Sequence, residues 1–168
     1  SLFGDQIDGL ELFDIGGIDA DSIPAPWRHR TRVAARWEEA YEACSVCITC
    51  TVATSRYIDR RPPDGSLLLN VSLRDYKTDA LRSVKAVFVD DWDEVCRENT
   101  DIELLHRETG LTRHAARTLA DLACREAFRE IQPGEPILFC PMGMAVFDLA
   151  VAGYLVDLAK LSGTGTEI

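Results

Sequence analysis

A strand-like run that ends in a burst of polar groups is the stretch of this chain best suited to chemistry. Leu67-Leu68-Leu69 leads into Asn70-Val71-Ser72-Leu73-Arg74-Asp75-Tyr76-Lys77. In parallel α/β sheets the carboxyl ends of the strands form the ligand crevice, so side chains delivered there can touch a substrate. Asp75 is a candidate proton acceptor once water is excluded. The same residues also suit a solvated loop with local ion pairs.

Three other places invite a chemical reading. Asp14 follows the alternating run Gly9 to Phe13 and precedes Gly16-Gly17. Dinucleotide-binding folds set an acid for the adenosine ribose at such a strand tip, although Asp is also a common turn former. The run Cys44-Ser45-Val46-Cys47-Ile48-Thr49-Cys50 has the C-x-x-C-x-x-C spacing of iron–sulfur ligands. On a strand, however, neighbouring side chains alternate faces, so Cys47 and Cys50 point oppositely and share no cluster. Phe139-Cys140-Pro141-Met142-Gly143-Met144-Ala145 joins a strand to a helix through small and adaptable residues. His29, His106 and His114 lie too far apart for ligand spacing, and no metal site is expected.

The elements that must position these residues alternate between two periods. Apolar or β-branched runs at 9–15, 31–35, 45–52, 66–73, 86–89 and 136–140 read as strands. Helical spacing is expected over 37–43, 92–97, 101–109, 113–129 and 144–161. Strands alternating with helices predict an α/β fold with a mainly parallel sheet. One domain spans 1–161, and 162–168 is a flexible tail. The chain has 168 residues, 46% of them hydrophobic and 27% charged, which excludes disorder. Its longest apolar runs fall short of the roughly 20 residues that a membrane helix needs, so no membrane partner is expected. Lys plus Arg number 18 against 28 Asp plus Glu, a net charge of −10 that repels phosphate backbones and argues against nucleic acid. The six scattered cysteines suit reduced thiols in the cytoplasm.

Four segments in order carry a resemblance: Leu68-Leu69-Asn70-Val71-Ser72-Leu73-Arg74-Asp75, Phe88-Val89-Asp90-Asp91-Trp92-Asp93, Thr118-Leu119-Ala120-Asp121-Leu122, and Phe139-Cys140-Pro141-Met142-Gly143-Met144-Ala145-Val146-Phe147-Asp148. Together they resemble the ornithine cyclodeaminase/μ-crystallin family of NAD(P)-dependent enzymes. The wording N-V-S-L-R-D and P-M-G-M-A-V-F-D is most similar to the branch that releases 2,3-diaminopropionate for siderophore and antibiotic assembly.

The resemblance implies a Rossmann-like sheet with helices on both faces, NAD as cofactor and a small amino-acid substrate. It implies Asp75 as the catalytic acid and Asp14 as the ribose-binding one. Thr51 and Ala53 match the segment near the nicotinamide, and Asn70, Val71 and Ser72 the strand end beneath the cofactor. Lys77 is a looser match to a cofactor-contacting lysine. Pro141 matches a turn beside the nicotinamide, and Met142 the substrate side of it. The family's first, central strand with its glycine loop has no counterpart here. The expectation is therefore a chain completed by a second polypeptide that supplies the N-terminal half, the complete enzyme being a homodimer. Sibling activities (ornithine cyclodeamination, alanine dehydrogenation, ketimine reduction) and a non-catalytic assembly module are the rival readings.

Overall fold

The computed structural model describes residues 6–125 and 127–166. Strands β1 (Leu10–Leu12) and β2 (Thr31–Val33) precede helix α1 (Trp37–Ala43) and strand β3 (Val46–Thr49). Then come β4 (Leu67–Asn70), α2 (Thr78–Leu81), β5 (Ala86–Val89), α3 (Trp92–Val95) and α4 (Asp101–Thr109). Strand β6 (Arg117–Thr118), α5 (Leu119–Arg125), β7 (Ile137–Cys140) and α6 (Ala145–Ser162) complete the order. Local chemistry sets several of the limits. Thr100 caps α4 by accepting from the Glu103 N–H, and Gly110 ends it at φ 78, where a side chain would be strained.

All strand pairs are parallel. β1 and β2 form a two-stranded sheet, and β3-β4-β7-β5-β6 a five-stranded one. Register and period then assign every side chain to a face. Cys47, Leu68, Leu138 and Val87 stand in one row. That row belongs to the main core, with Tyr41 of α1, Leu81 of α2, Val95 of α3 and Ile102 of α4. The alternate row Val46, Leu67, Ile137, Ala86 faces the other way. There Ala86, Phe88 and Ala127 form a second cluster with Leu122 and Ile131. Each large side chain fully removed from water contributes about 1.5–3 kcal/mol. Tyr76, Phe88, Ile58 and Leu68 are the bulkiest examples.

The second face thins out across the sheet. Phe88 is 1% exposed, whereas Ile48, in the same row on β3, is 58% exposed. Beyond β3 no strand pairs among the described residues, and β1 pairs with β2 alone. Helix α6 carries Val146, Leu149, Val151, Tyr154, Leu155 and Leu158 on all sides and buries none of its residues.

Two elements differ from the sequence-based expectation. The helix expected over 113–129 begins at Leu119. Thr118 and Asp121 cap it reciprocally, the Thr118 N–H donating to the Asp121 carboxylate (2.8 Å) and the Asp121 N–H to Thr118 Oγ1 (3.2 Å). Arg117 and Thr118 instead pair with Phe88 and Val89 as β6. Helix α2 had no sequence-based counterpart, because one turn is too short to show a period.

Candidate active site

The chain leaves β3 and β4 at the same edge of the sheet, and there the expected residues meet. Thr51, Val52, Ala53, Ser72, Arg74 and Asp75 line a cleft of about 250 Å³. Asp75 is fully buried. Thr51 Oγ1 donates to one of its carboxylate oxygens and Ser72 Oγ to the other. Its backbone is also fixed, since the Tyr57 and Ile58 N–H groups donate to its carbonyl at 3.0 and 2.9 Å. Half-buried Tyr57 is pushed up to about 12, chiefly by burial and then by the Asp75 charge.

Beneath the cleft lies a support that sequence reasoning missed. The buried Asp101 carboxylate accepts from Arg56 Nε (2.6 Å), Asn70 Nδ2 (2.9 Å) and the N–H groups of Asp75 and Tyr76 (both 3.1 Å). Burial pushes its carboxyl above the usual range, while the Tyr76 N–H, Asn70 and Arg56 pull it down. Leu73 is held at φ 64, a conformation costly for a side-chain-bearing residue. Two bonds clamp it there: its N–H donates to Asn70 Oδ1 (3.0 Å) and its carbonyl accepts the Asp101 N–H (2.7 Å). Asn70, fully buried and also taking the Thr49 hydroxyl at 3.0 Å, works as a strut under the cleft.

The remaining expected residues stand apart from this cleft. Asp14 follows β1, and its Oδ1 accepts the Gly16 N–H at 2.7 Å. Its other carboxylate oxygen has no partner among the described residues. Val71 is half exposed. Lys77 caps α2 with its backbone and pairs with Asp59 at 3.0 Å, holding that carboxyl below its usual range. Pro141 and Met142 are half-buried after β7, with Met142 against the main core. Their turn is pinned by Asp90, a second residue not foreseen, whose Oδ2 accepts the Gly143 N–H at 2.7 Å.

Among the described residues no three Cys, His, Asp or Glu side chains converge as metal ligands. Cys50 is exposed, whereas Cys44 and Cys47 adjoin. A hydrogen bond from the Cys47 thiol lowers Cys44 to about 7, against an opposing effect of burial. The thiolate is the nucleophile, so alkylation of Cys44 by iodoacetamide rises as pH passes about 7. Cys47→Ala moves that rise toward about 8.5, the ordinary thiol value, as peptide mass spectrometry over a pH series will show.

The chain has a similar curated relative and similar solved structures. Over 136 residues, 78% of this chain and 40% of the relative, the chain is 32% identical to N-((2S)-2-amino-2-carboxyethyl)-L-glutamate dehydrogenase of Staphylococcus aureus (strain NCTC 8325 / PS 47). Over that span the chain is a homologue of this dehydrogenase, and its structural neighbours are ornithine cyclodeaminase/μ-crystallin-type enzymes. The crystal structure of CmnK superposes with a TM-score of 0.76 at 26% identity, over 96% of this chain and 50% of that one. The fold recurs in two further structures. Δ(1)-pyrroline-2-carboxylate reductase of Thermococcus litoralis, in complex with NADH and L-proline, has a TM-score of 0.69 at 21% identity (83% of this chain, 45% of that one). A probable ornithine cyclodeaminase of Bordetella pertussis Tohama I has 0.66 at 24% (82% and 46%). No protein-family model matches. The chain thus spans less than half the length of its curated relative.

Proposed function

We propose that this chain is the cofactor-binding portion of an NAD-dependent dehydrogenase acting on an amino acid. The substrate is N-(2-amino-2-carboxyethyl)-L-glutamate, whose secondary amine is oxidised to an imine. Hydrolysis then yields 2-oxoglutarate and 2,3-diaminopropionate, a siderophore or antibiotic precursor. The observation that carries the reading is the buried Asp75 carboxylate, held between two hydroxyls in a cleft at the carboxyl edge of a parallel sheet.

The residues present fit a dinucleotide. Asp14 offers a free carboxylate oxygen to the ribose hydroxyls at the end of β1. Gly16 keeps that corner open, since a Cβ there would stand 3.1 Å from Asp14 Oδ1. Bound NAD supplies the acceptor for the hydride. Thr51, Ala53, Val71, Ser72 and Pro141 border the nicotinamide half, with Asn70 bracing them from below. Lys77 reaches the cofactor by leaving Asp59, and Met142 adapts to the substrate. Asp75 takes the amine proton as the hydride departs, then passes a proton to or from the water that attacks the imine.

Among the described residues the edges of β1 and β3 are unpaired and α6 is uncovered, which supports completion by a second polypeptide that supplies the N-terminal half, as part of a homodimer. All six cysteines are free thiols, which supports a cytoplasmic setting. The test follows reduced nicotinamide by absorbance when the complete assembly meets the substrate with NAD⁺ or NADP⁺. Turnover is expected with NAD⁺ in preference, because Asp14 repels a 2′-phosphate. Preference for NADP⁺ removes Asp14 from the ribose site. No turnover with any amino acid removes the dehydrogenase. A lone 18.7 kDa monomer that turns over unaided removes the second polypeptide.

A further inference from the structure

We infer that Arg74 grips a carboxylate of the substrate at the rim of the Asp75 cleft, a specificity contact for its dicarboxylic glutamate half, the half released as 2-oxoglutarate. The inference takes the identity of the ligand from the dehydrogenase reading above, but its geometry stands separately. Of the six residues that line the cleft, Arg74 is the one cation. In this chain of net charge −10, the other exposed arginines near α2 and α3 are paired: Arg82 with Asp79, Arg97 with Glu94. Arg74 meets no carboxylate within 4 Å among the described residues. Its Nε and Nη2 both donate to the Glu98 carbonyl, at 3.0 and 2.9 Å.

That carbonyl is aimed at a cost. Glu98 and Asn99 are consecutive left-handed residues, at φ 57 and 58; asparagine adopts this conformation readily, so the cost falls on Glu98. Such strain persists only where the surroundings over-determine it, and it concentrates at ligand clamps. The turn presents two carbonyls in succession: Glu98 O takes Arg74, and Asn99 O takes Nη2 of Arg56, the arginine bound to Asp101. Arg74 is therefore fixed in orientation by a neutral group that leaves its charge uncompensated. Nη1 keeps its donors for an incoming anion. A guanidinium fork presented this way recognises a planar carboxylate better than a lysine would. Asp75, beside it, has both oxygens engaged by hydroxyls, so an anion at Arg74 does not have to compete with an ion pair.

The test measures binding, not turnover. The complete assembly is titrated calorimetrically with 2-oxoglutarate, with pyruvate and with NAD⁺, in wild type, Arg74→Gln, Arg74→Lys and the surface control Arg82→Gln. Arg74→Gln is expected to weaken 2-oxoglutarate by about 10- to 100-fold, the range of a charge-assisted hydrogen bond. Arg74→Lys is expected to fall between it and wild type. NAD⁺ affinity changes less than about twofold in all variants, and Arg82→Gln matches wild type throughout. Three results overturn the inference: unchanged 2-oxoglutarate binding in Arg74→Gln, equal weakening of NAD⁺ (a phosphate contact instead), or a wild type that binds pyruvate as well as 2-oxoglutarate. Because no hydride transfer is read, an assembly that never turns over but loses the dicarboxylate with Arg74→Gln keeps this contact while the dehydrogenase reading fails. A functioning dehydrogenase whose dicarboxylate binding ignores position 74 does the reverse.

Discussion

Asp75→Asn lowers turnover of the complete assembly by about 10²- to 10⁴-fold, the range over which a positioned acid–base group acts. The substitution keeps shape and volume, and an amide can still accept from one of the Thr51 and Ser72 hydroxyls. It cannot accept from both with its two heavy atoms, nor exchange a proton with the amine. NAD⁺ affinity is expected to stay within about threefold, because the amide carries no new charge into the cleft. Steady-state kinetics with a parallel cofactor titration separate these effects. A variant that retains more than a tenth of wild-type turnover would show that Asp75 is not the proton-transferring group.

Asp101→Ala is the substitution with the largest expected effect on stability. It leaves the Arg56 guanidinium, the Asn70 amide and two backbone N–H groups without their acceptor. Removing one partner of a buried pair costs about 3–5 kcal/mol, since the other charge stays behind unpaired. Arg56 is only 17% exposed, so solvent offers it little compensation. At about 2–4 °C per kcal/mol for a chain of this size, thermal unfolding followed by circular dichroism should fall by about 10 °C. Asp101→Asn, which keeps one acceptor, should fall less. The Leu73 carbonyl keeps the N–H of residue 101 in both variants, so the loss falls on Arg56, Asn70 and the Asp75 and Tyr76 N–H groups. Unfolding of Asp101→Ala within about 1 kcal/mol of wild type would refute the role given to this carboxylate.

The two residues differ in how far they could be read in advance. Asp75 follows a hydrophobic run by a few positions, and a strand that ends in polar residues betrays a crevice. Thr51, Ala53 and Ser72 belong to the same strand ends, and the cleft gathers them all. Asp101 shows no such mark. It occupies the first turn of α4, where acids are common because they favour the positive end of the helix dipole. Its buried role comes from packing 26 residues away from Asp75, a distance that no local pattern encodes. Asp90 is hidden in the same manner, 53 residues from the glycine it holds. Parallel strands and the helices over 37–43 and 101–109 were legible because each shows a clean period between clear stops. Residues 113–118 were misread as helix because Ala116 and Leu119 share a helical spacing, whereas Ala116 packs into the main core from a turn and Arg117–Thr118 pair with Phe88–Val89. The left-handed turns at Leu73, Glu98 and Asn99 had no signature, since none is glycine.

Helix α6 rises about 27 Å over its 18 residues, and none of them is buried. Its root is the turn that Asp90 fastens through Gly143, next to Pro141 and Met142. Oily side chains standing in water on every side of this rod make it the stretch of the chain that gains most from being covered.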